Sequence, residues 1–234
     1  MNGPRRITIV GGGLAGPLLA CLLADQGREV TVIERRGDPR ADGYEGGRSI
    51  NLALSARGIE ALGRIGLAEA VLDTVVPMQG RMMHDPEGRT SYSPYSVIPG
   101  EAINSVSRGL LNCMLLDAAG SRPGVTLLFD VESDAIDVDQ ASLRITRTDG
   151  STQTIEADLL VGADGAGSVI REAMHRCEAT DDGTEFIDSG YKELTIPAGP
   201  DGAFLLRKDA LHIWPRGHFM LIALPNEDGS FTCT

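Results

Sequence analysis

The chain has 234 residues, 42% of them hydrophobic, with 29 glycines, a composition that suits a soluble α/β protein and excludes a disordered one. Its 21 basic and 33 acidic residues leave a formal charge of −12, which argues against nucleic acid and anionic membrane surfaces as partners. Cys21, Cys113, Cys177 and Cys233 are scattered without metal-ligand spacing, so they read as free thiols in a reducing, cytoplasmic setting and no metal site is expected. No apolar run approaches the roughly 20 residues that cross a bilayer, and the glycine cluster inside the first apolar stretch argues against a cleaved signal peptide.

Ile7 to Val10 is a short apolar run of the buried parallel-strand kind, followed by Gly11, Gly13 and Gly16 in G-x-G-x-x-G spacing. Gly11 suits the tight turn, Gly13 lets a pyrophosphate approach the backbone, and Gly16 lets a helix lie close on the strand. Leu14 to Ala24 is predicted as that helix, with Pro17 tolerated in its first turn and Gly27 as its stop. Its N-terminus faces the phosphates with unpaired N–H groups. A second strand, Glu29 to Ile33, ends at Glu34, an acid placed to accept from a ribose hydroxyl. An acid here fits FAD or NAD better than NADP, although Arg35 and Arg36 keep NADP open. The alternative is a strand–helix–strand unit with an unoccupied glycine turn.

Residues 37 to 48 are rich in glycine and charge and are predicted as a surface loop. Ser55 is placed to cap a helix from Ala56 to about Ile65, with Ile59, Leu62 and Ile65 on its apolar face and Gly66 as its stop. Residues 77 to 100 change to a β pattern, with a hairpin turning at Asp85 to Gly88. Ser107 then caps a helix whose apolar face is Leu110, Leu111, Met114 and Leu115, and Arg108 sits in its first turn, where a cation opposes the helix dipole unless an anion lies nearby. Val125 to Val131, Leu143 to Arg147 and Thr152 to Ala157 are predicted as a meander beside the parallel sheet. Leu159 to Val161 is predicted as a buried strand, followed by a turn and a helix from Ser168. That corner carries D-G-x-x-S-x-x-R as Asp164, Gly165, Ser168 and Arg171; the plain structural reading pairs Asp164 with Arg171. Tyr191 to Ile196, Leu211 to Pro215, Phe219 to Pro225 and Ser230 to Thr234 read as an antiparallel sheet with turns at Arg216-Gly217 and Asn226 to Gly229.

Eight segments carry a more specific signal: GGGLAG, GRSINLALSARG, GRMMHD, SVSR, GADGAGSVIR, GYKELTIP, HIWPRGHFMLIALPN and SFTCT. In this order and at these separations the sequence resembles the kynurenine 3-monooxygenase family of FAD-dependent aromatic hydroxylases, over nearly its whole length. The resemblance implies a Rossmann-like FAD-binding domain with a parallel sheet, made of residues 1–76 and 101–177, and a β-rich substrate domain made of 77–100 and 178–234. It implies cofactor contacts at Gly11, Gly13, Ala15, Gly16, Glu34, Arg35, Arg48, Ala53, Arg108, Asp164, Gly165, Ser168 and Arg171, with Ala53 acting through its main chain. It implies that Arg81 and Tyr95 hold the carboxylate of the substrate, as a guanidinium and a phenol can. His84 matches a family histidine and is kept as a structural or exposed side chain. Trp214 and His212 are either packed strand residues or substrate contacts.

The activity implied is hydroxylation of L-kynurenine to 3-hydroxykynurenine in tryptophan degradation, with O2 as oxidant, NADPH as electron donor and a flavin C4a-hydroperoxide as the oxygenating species. The cofactor supplies that chemistry, so no side chain is assigned as catalytic acid or base. The family's third flavin motif, G-D-A-A-H, is absent, and the sequence ends within a predicted strand, which predicts an incomplete pocket and an open edge after Ser230. Two alternatives follow: a catalytically silent FAD-binding module, and a related hydroxylase of another aromatic substrate.

Overall fold

The computed structural model describes residues 5–41, 51–98, 100–178, 180, 183–190 and 192–234. In chain order they form β1 (Arg6–Val10), α1 (Ala15–Ala24), β2 (Glu29–Ile33), β3 (Asn51–Leu54), α2 (Ala56–Gly63), α3 (Ala68–Leu72), β4 (Val76–Met78), β5 (Gly80–His84), β6 (Thr90–Pro94), β7 (Ile103–Ser107) and α4 (Arg108–Gly120). The second half forms β8 (Val125–Leu128), β9 (Val131–Asp137), β10 (Ser142–Arg147), β11 (Thr152–Glu156), β12 (Leu159–Gly162), α5 (Val169–Arg176), β13 (Leu194–Ile196), β14 (Ala210–Arg216), β15 (Phe219–Pro225) and β16 (Phe231–Cys233). The chain divides into two compact units, residues 1–44 with 112–186 and residues 45–111 with 187–234. Residues 51–76 and 101–111 thus cluster with the hairpin of residues 80–94.

The first unit holds a parallel sheet in the order β12-β1-β2-β8. Its central strands are covered on both faces: Ile7, Ile9, Val30 and Val32 are buried on one, and Thr8, Val10 and Ile33 on the other. The small residues Gly16, Pro17, Ala20 and Cys21 form the buried face of α1. An antiparallel meander, β11-β10-β9, packs Leu143, Ile145 and Val131 into a core with Val10, Ile33 and Ile170. Three expectations change here. The run from Val125 to Val131 is two strands: β8 pairs with β2 in the parallel sheet, the chain breaks at Asp130 (φ 56°), and the meander starts at Val131. Next, β12 is an edge strand, and Leu159 is 42% exposed where a buried strand was expected. Finally, α4 buries Leu111, Leu115, Leu116 and Ala119, with Leu110 turned outward.

The second unit holds a three-stranded antiparallel sheet, β3-β7-β4, and a six-stranded sheet, β13-β16-β15-β14-β5-β6. The expected hairpin is present, with β5 and β6 antiparallel and Gly88 at φ 84° in the turn after Asp85. The larger sheet is mixed, because β5 runs parallel to β14 with Arg81 opposite Leu211. The strand after Ser230 is no open edge: β16 lies between β13 and β15 and is fully buried. The segment before it supplies the cover, since Leu194–Ile196 pairs with β16, while Tyr191 lies outside the described residues. Ser55 stands at the N-cap of α2 in extended conformation, but no side-chain cap bond forms, and the helix ends at Gly63, one turn before Gly66 at φ 73°.

Candidate functional site

In the first unit the glycine turn is built against two side chains. Gly11 has φ 116°, and a Cβ there would collide with the carbonyl of Ala163, the residue that follows β12. A Cβ on Gly16 would collide with the carbonyl of Gly11, so α1 starts against the turn's backbone only because both positions lack a side chain. Gly13 has open space where a Cβ would stand. No side chain caps α1 and no acid lies in its first turn.

Glu34 directly follows β2 and is buried at 8% exposure. Its Oε2 accepts from the Gly12 backbone N–H at 2.8 Å, and its Oε1 accepts from the Arg36 backbone N–H and Nε, both at 3.0 Å. Burial pushes the Glu34 carboxyl up, but the two backbone N–H groups and the Arg36 guanidinium outweigh it and hold the group below its ordinary value. The acid expected to meet a ribose therefore also braces the turn. Arg35 is exposed beside it. On the other side Asn112, buried in α4, donates from Nδ2 to the Gly12 carbonyl at 3.0 Å. The sequence reading missed Asn112; its signal is a lone amide among the buried apolar positions of a helix.

At the β12–α5 corner, Asp164 Oδ1 accepts from Ser168 Oγ at 2.7 Å and Oδ2 from the Val169 N–H at 2.7 Å. Ser168 caps α5, its Oγ accepting from the Arg171 N–H at 3.0 Å, and Arg171 Nη2 reaches the Ala166 carbonyl at 2.6 Å. Gly165 takes φ 83° between them. Asp164 thus organises the helix start through Ser168 and Val169.

In the second unit Arg81 on β5 and Tyr95 just after β6 come together, with the guanidinium carbon 5.9 Å from the ring centroid. Tyr95 is half-buried, which raises its phenol, while Arg81 pulls the other way. Ala53 lies on β3 opposite Ser105, and Arg108 opens α4 after Ser107, whose Oγ accepts from the Leu110 N–H at 3.3 Å. Arg48 lies outside the described residues. A polar cleft of about 520 Å³ in this unit is lined by residues that include Asn51, Ser105, Glu193 and Asp228, and by neither Arg81 nor Tyr95.

Side chains alternate across a strand, so His84 faces away from Arg81. His212 is 2% exposed, with Nε2 at 2.8 Å from the Arg207 carbonyl and Nδ1 at 2.8 Å from His84 Nε2. A carbonyl only accepts, so Nε2 of His212 carries its proton, Nδ1 accepts, and His84 donates. His84 also stacks on Trp214 at 4.2 Å and 17°. Burial lowers both imidazoles, aided at His84 by His212 and Arg216. His84, His212 and Trp214 thus pack against one another across β5 and β14.

A profile of the FAD binding domain family matches residues 5–193. The chain belongs to the FAD binding domain family. It is 47% identical over 231 residues to a protein of Myxococcus xanthus named kynurenine 3-monooxygenase, covering 97% of this chain and 49% of that one. A protein of the same name from Stenotrophomonas maltophilia is 47% identical over 234 residues, 100% of this chain and 51% of the relative. The chain thus spans about half the length of the curated relatives it matches. Among solved structures, p-nitrophenol 4-monooxygenase from Pseudomonas putida superposes with a TM-score of 0.76 at 16% identity, covering 97% of this chain and 56% of that one. That likeness shows that the chain shares the fold of that structure. No helix among the described residues is long and apolar enough to cross a membrane.

Proposed function

We propose that this chain is the FAD-binding part, and a portion of the substrate-binding part, of a monooxygenase that converts L-kynurenine to 3-hydroxykynurenine. The observation that carries this reading is 47% identity, across nearly the whole chain, to relatives of that name. The turn supports FAD as the ligand. Open space at Gly13, an uncapped and acid-free start of α1, and an ionised Glu34 at the end of β2 suit a pyrophosphate followed by a ribose. Gly11, Ala15 and Gly16 would shape the phosphate turn, Arg35 would flank the ribose, and Asp164, Gly165, Ser168 and Arg171 would hold the second corner. Arg48, Ala53 and Arg108 are assigned to FAD by the resemblance. FAD, reduced by NADPH, supplies the activation of O2 when bound.

The protein's own work is binding and positioning. Arg81 and Tyr95 would hold the kynurenine carboxylate by a two-point guanidinium contact and a phenol hydrogen bond. The aromatic amine then stands in fixed orientation with water excluded. The four unpaired cysteines among the described residues suit a cytoplasmic setting. A second reading is an FAD-binding module without turnover of its own. The test is kynurenine-dependent NADPH oxidation by the FAD-loaded protein, with 3-hydroxykynurenine as product. FAD binding with no turnover supports the second reading. Hydroxylation of another aromatic in place of kynurenine overturns the substrate assignment.

A further inference from the structure

The peptide groups on either side of Gly12 are held from opposite ends by two buried side chains. Glu34 Oε2 takes the Gly12 N–H at 2.8 Å, and Asn112 Nδ2 gives to the Gly12 carbonyl at 3.0 Å. Both side chains are less than one-tenth exposed, Glu34 at 8% and Asn112 at 7%. They come from different places in the fold, the residue after β2 and the first half of α4, and from positions 78 residues apart in the sequence (34 and 112). In a trans peptide the C=O of one residue and the N–H of the next point in opposite directions, and the described residues contain no cis peptide. A carbonyl of Gly12 fixed toward Asn112 therefore aims the N–H of Gly13 the other way. The backbone at Gly13 is the part of the turn with open space beside it, with no atom within 4 Å of a Cβ built there.

We propose that Asn112 is a positioning residue for the dinucleotide: by anchoring the Gly12 carbonyl it presets the Gly13 N–H as a donor to the pyrophosphate of FAD. Glu34 completes the clamp by engaging the Gly12 N–H, so that the Gly13 N–H is the first of the turn left for the ligand. Glycines permit peptide flips at low cost, and a flipped 12–13 peptide would present a carbonyl oxygen to a phosphate. Asn112 removes that option before the ligand arrives. Losing it would leave the Gly12 carbonyl without its buried donor, which favours the flip. When only a fraction of the protein holds the competent arrangement, the apparent Kd rises by the inverse of that fraction.

This inference rests on FAD as the ligand of the turn, and its test separates the two. The probe is FAD, titrated into wild type and into Asn112→Leu and Asn112→Ser, with binding followed by flavin fluorescence and folding by far-ultraviolet circular dichroism. The expected result is native-like spectra for the unliganded variants and a rise of about tenfold in Kd, corresponding to a competent fraction near one-tenth. In the wild type, 1H–15N spectra should show the Gly13 amide moving strongly downfield on FAD addition while the Gly12 amide stays nearly still. A folded variant that binds FAD within twofold of wild type overturns the clamp alone. So does a wild-type spectrum in which the Gly12 amide moves and the Gly13 amide does not, a result that decides the matter even if both variants fail to fold. Wild type with no affinity for FAD overturns the functional reading, and the clamp falls with it.

Discussion

Replacing His84 by alanine tests the internal histidine pair of the second unit. The substitution strips His212 Nδ1 of its donor inside a site where that ring is 2% exposed, and a buried acceptor left unmatched costs about 1–3 kcal/mol. It also removes the ring stacked 4.2 Å from Trp214, worth about 0.5–1.5 kcal/mol. The sum should be about 1.5–4.5 kcal/mol, whereas His84→Gln, whose amide can still donate, should recover part of it. The chain has one tryptophan, so urea unfolding followed by its fluorescence reports directly on this cluster. The pH dependence has a definite sign. Both imidazoles are held below 6.5, by burial first and at His84 also by His212 and Arg216; at His212 the Arg207 carbonyl and Asp209 oppose burial while the Arg207 guanidinium adds to it. The folded state therefore binds fewer protons than the unfolded state, and stability present in full above pH 6.5 is lost as pH falls through the lowered values. His84→Ala should show a smaller loss between pH 7.5 and 5.5 than wild type. A cost below about 0.5 kcal/mol, the range of ordinary surface changes, or an undiminished pH dependence would refute the reasoning.

Three further outcomes are expected. Gly11→Ala, which drives a methyl group into the Ala163 carbonyl at φ 116°, should lower stability by about 3 kcal/mol and abolish FAD binding, as thermal melts with and without FAD would show. Glu34→Gln should cost about 2 kcal/mol at neutral pH, the scale of hydrogen bonds to a charged group. Wild type should lose this advantage as pH falls below 4.5, the ordinary value from which Glu34 is lowered, so that the difference between wild type and variant closes in acid denaturation curves. For the activity proposed above, Arg81→Met should raise the KM for kynurenine about 100-fold through loss of a charged two-point contact, with NADPH affinity unchanged in steady-state kinetics.

The parallel core was legible because its signals are local. The apolar runs at Ile7 and Val30, the glycine spacing and Glu34 each specify their own conformation, and β2 and β15 fall where the sequence put them. What escaped depends on partners distant in the chain. Nothing within Leu159–Gly162 distinguishes a central strand from an edge strand, since that depends on what lies beyond it in the sheet. The parallel pairing of β5 with β14 is equally invisible to turn chemistry, which reports only on hairpins. At the candidate site, Arg81 and Tyr95 were readable through resemblance and do come together. Asn112 was hidden because its chemistry appears only when α4 is set against a turn 100 residues earlier.

The parallel seam between β5 and β14 also constrains the order of events during synthesis. His84 and His212 are 128 positions apart, and the hairpin of β5 and β6 leaves the ribosome long before β14 exists. At about 5–20 residues per second, that hairpin waits many seconds as an isolated two-stranded ribbon, a form that is marginal in water. Closing so long a loop is entropically expensive and slow compared with local helix formation. Maturation of the strand that carries Arg81 is therefore tied to the arrival of residues 210–216, and during that interval a nascent chain exposes Met82 and Met83 to chaperones and to aggregation.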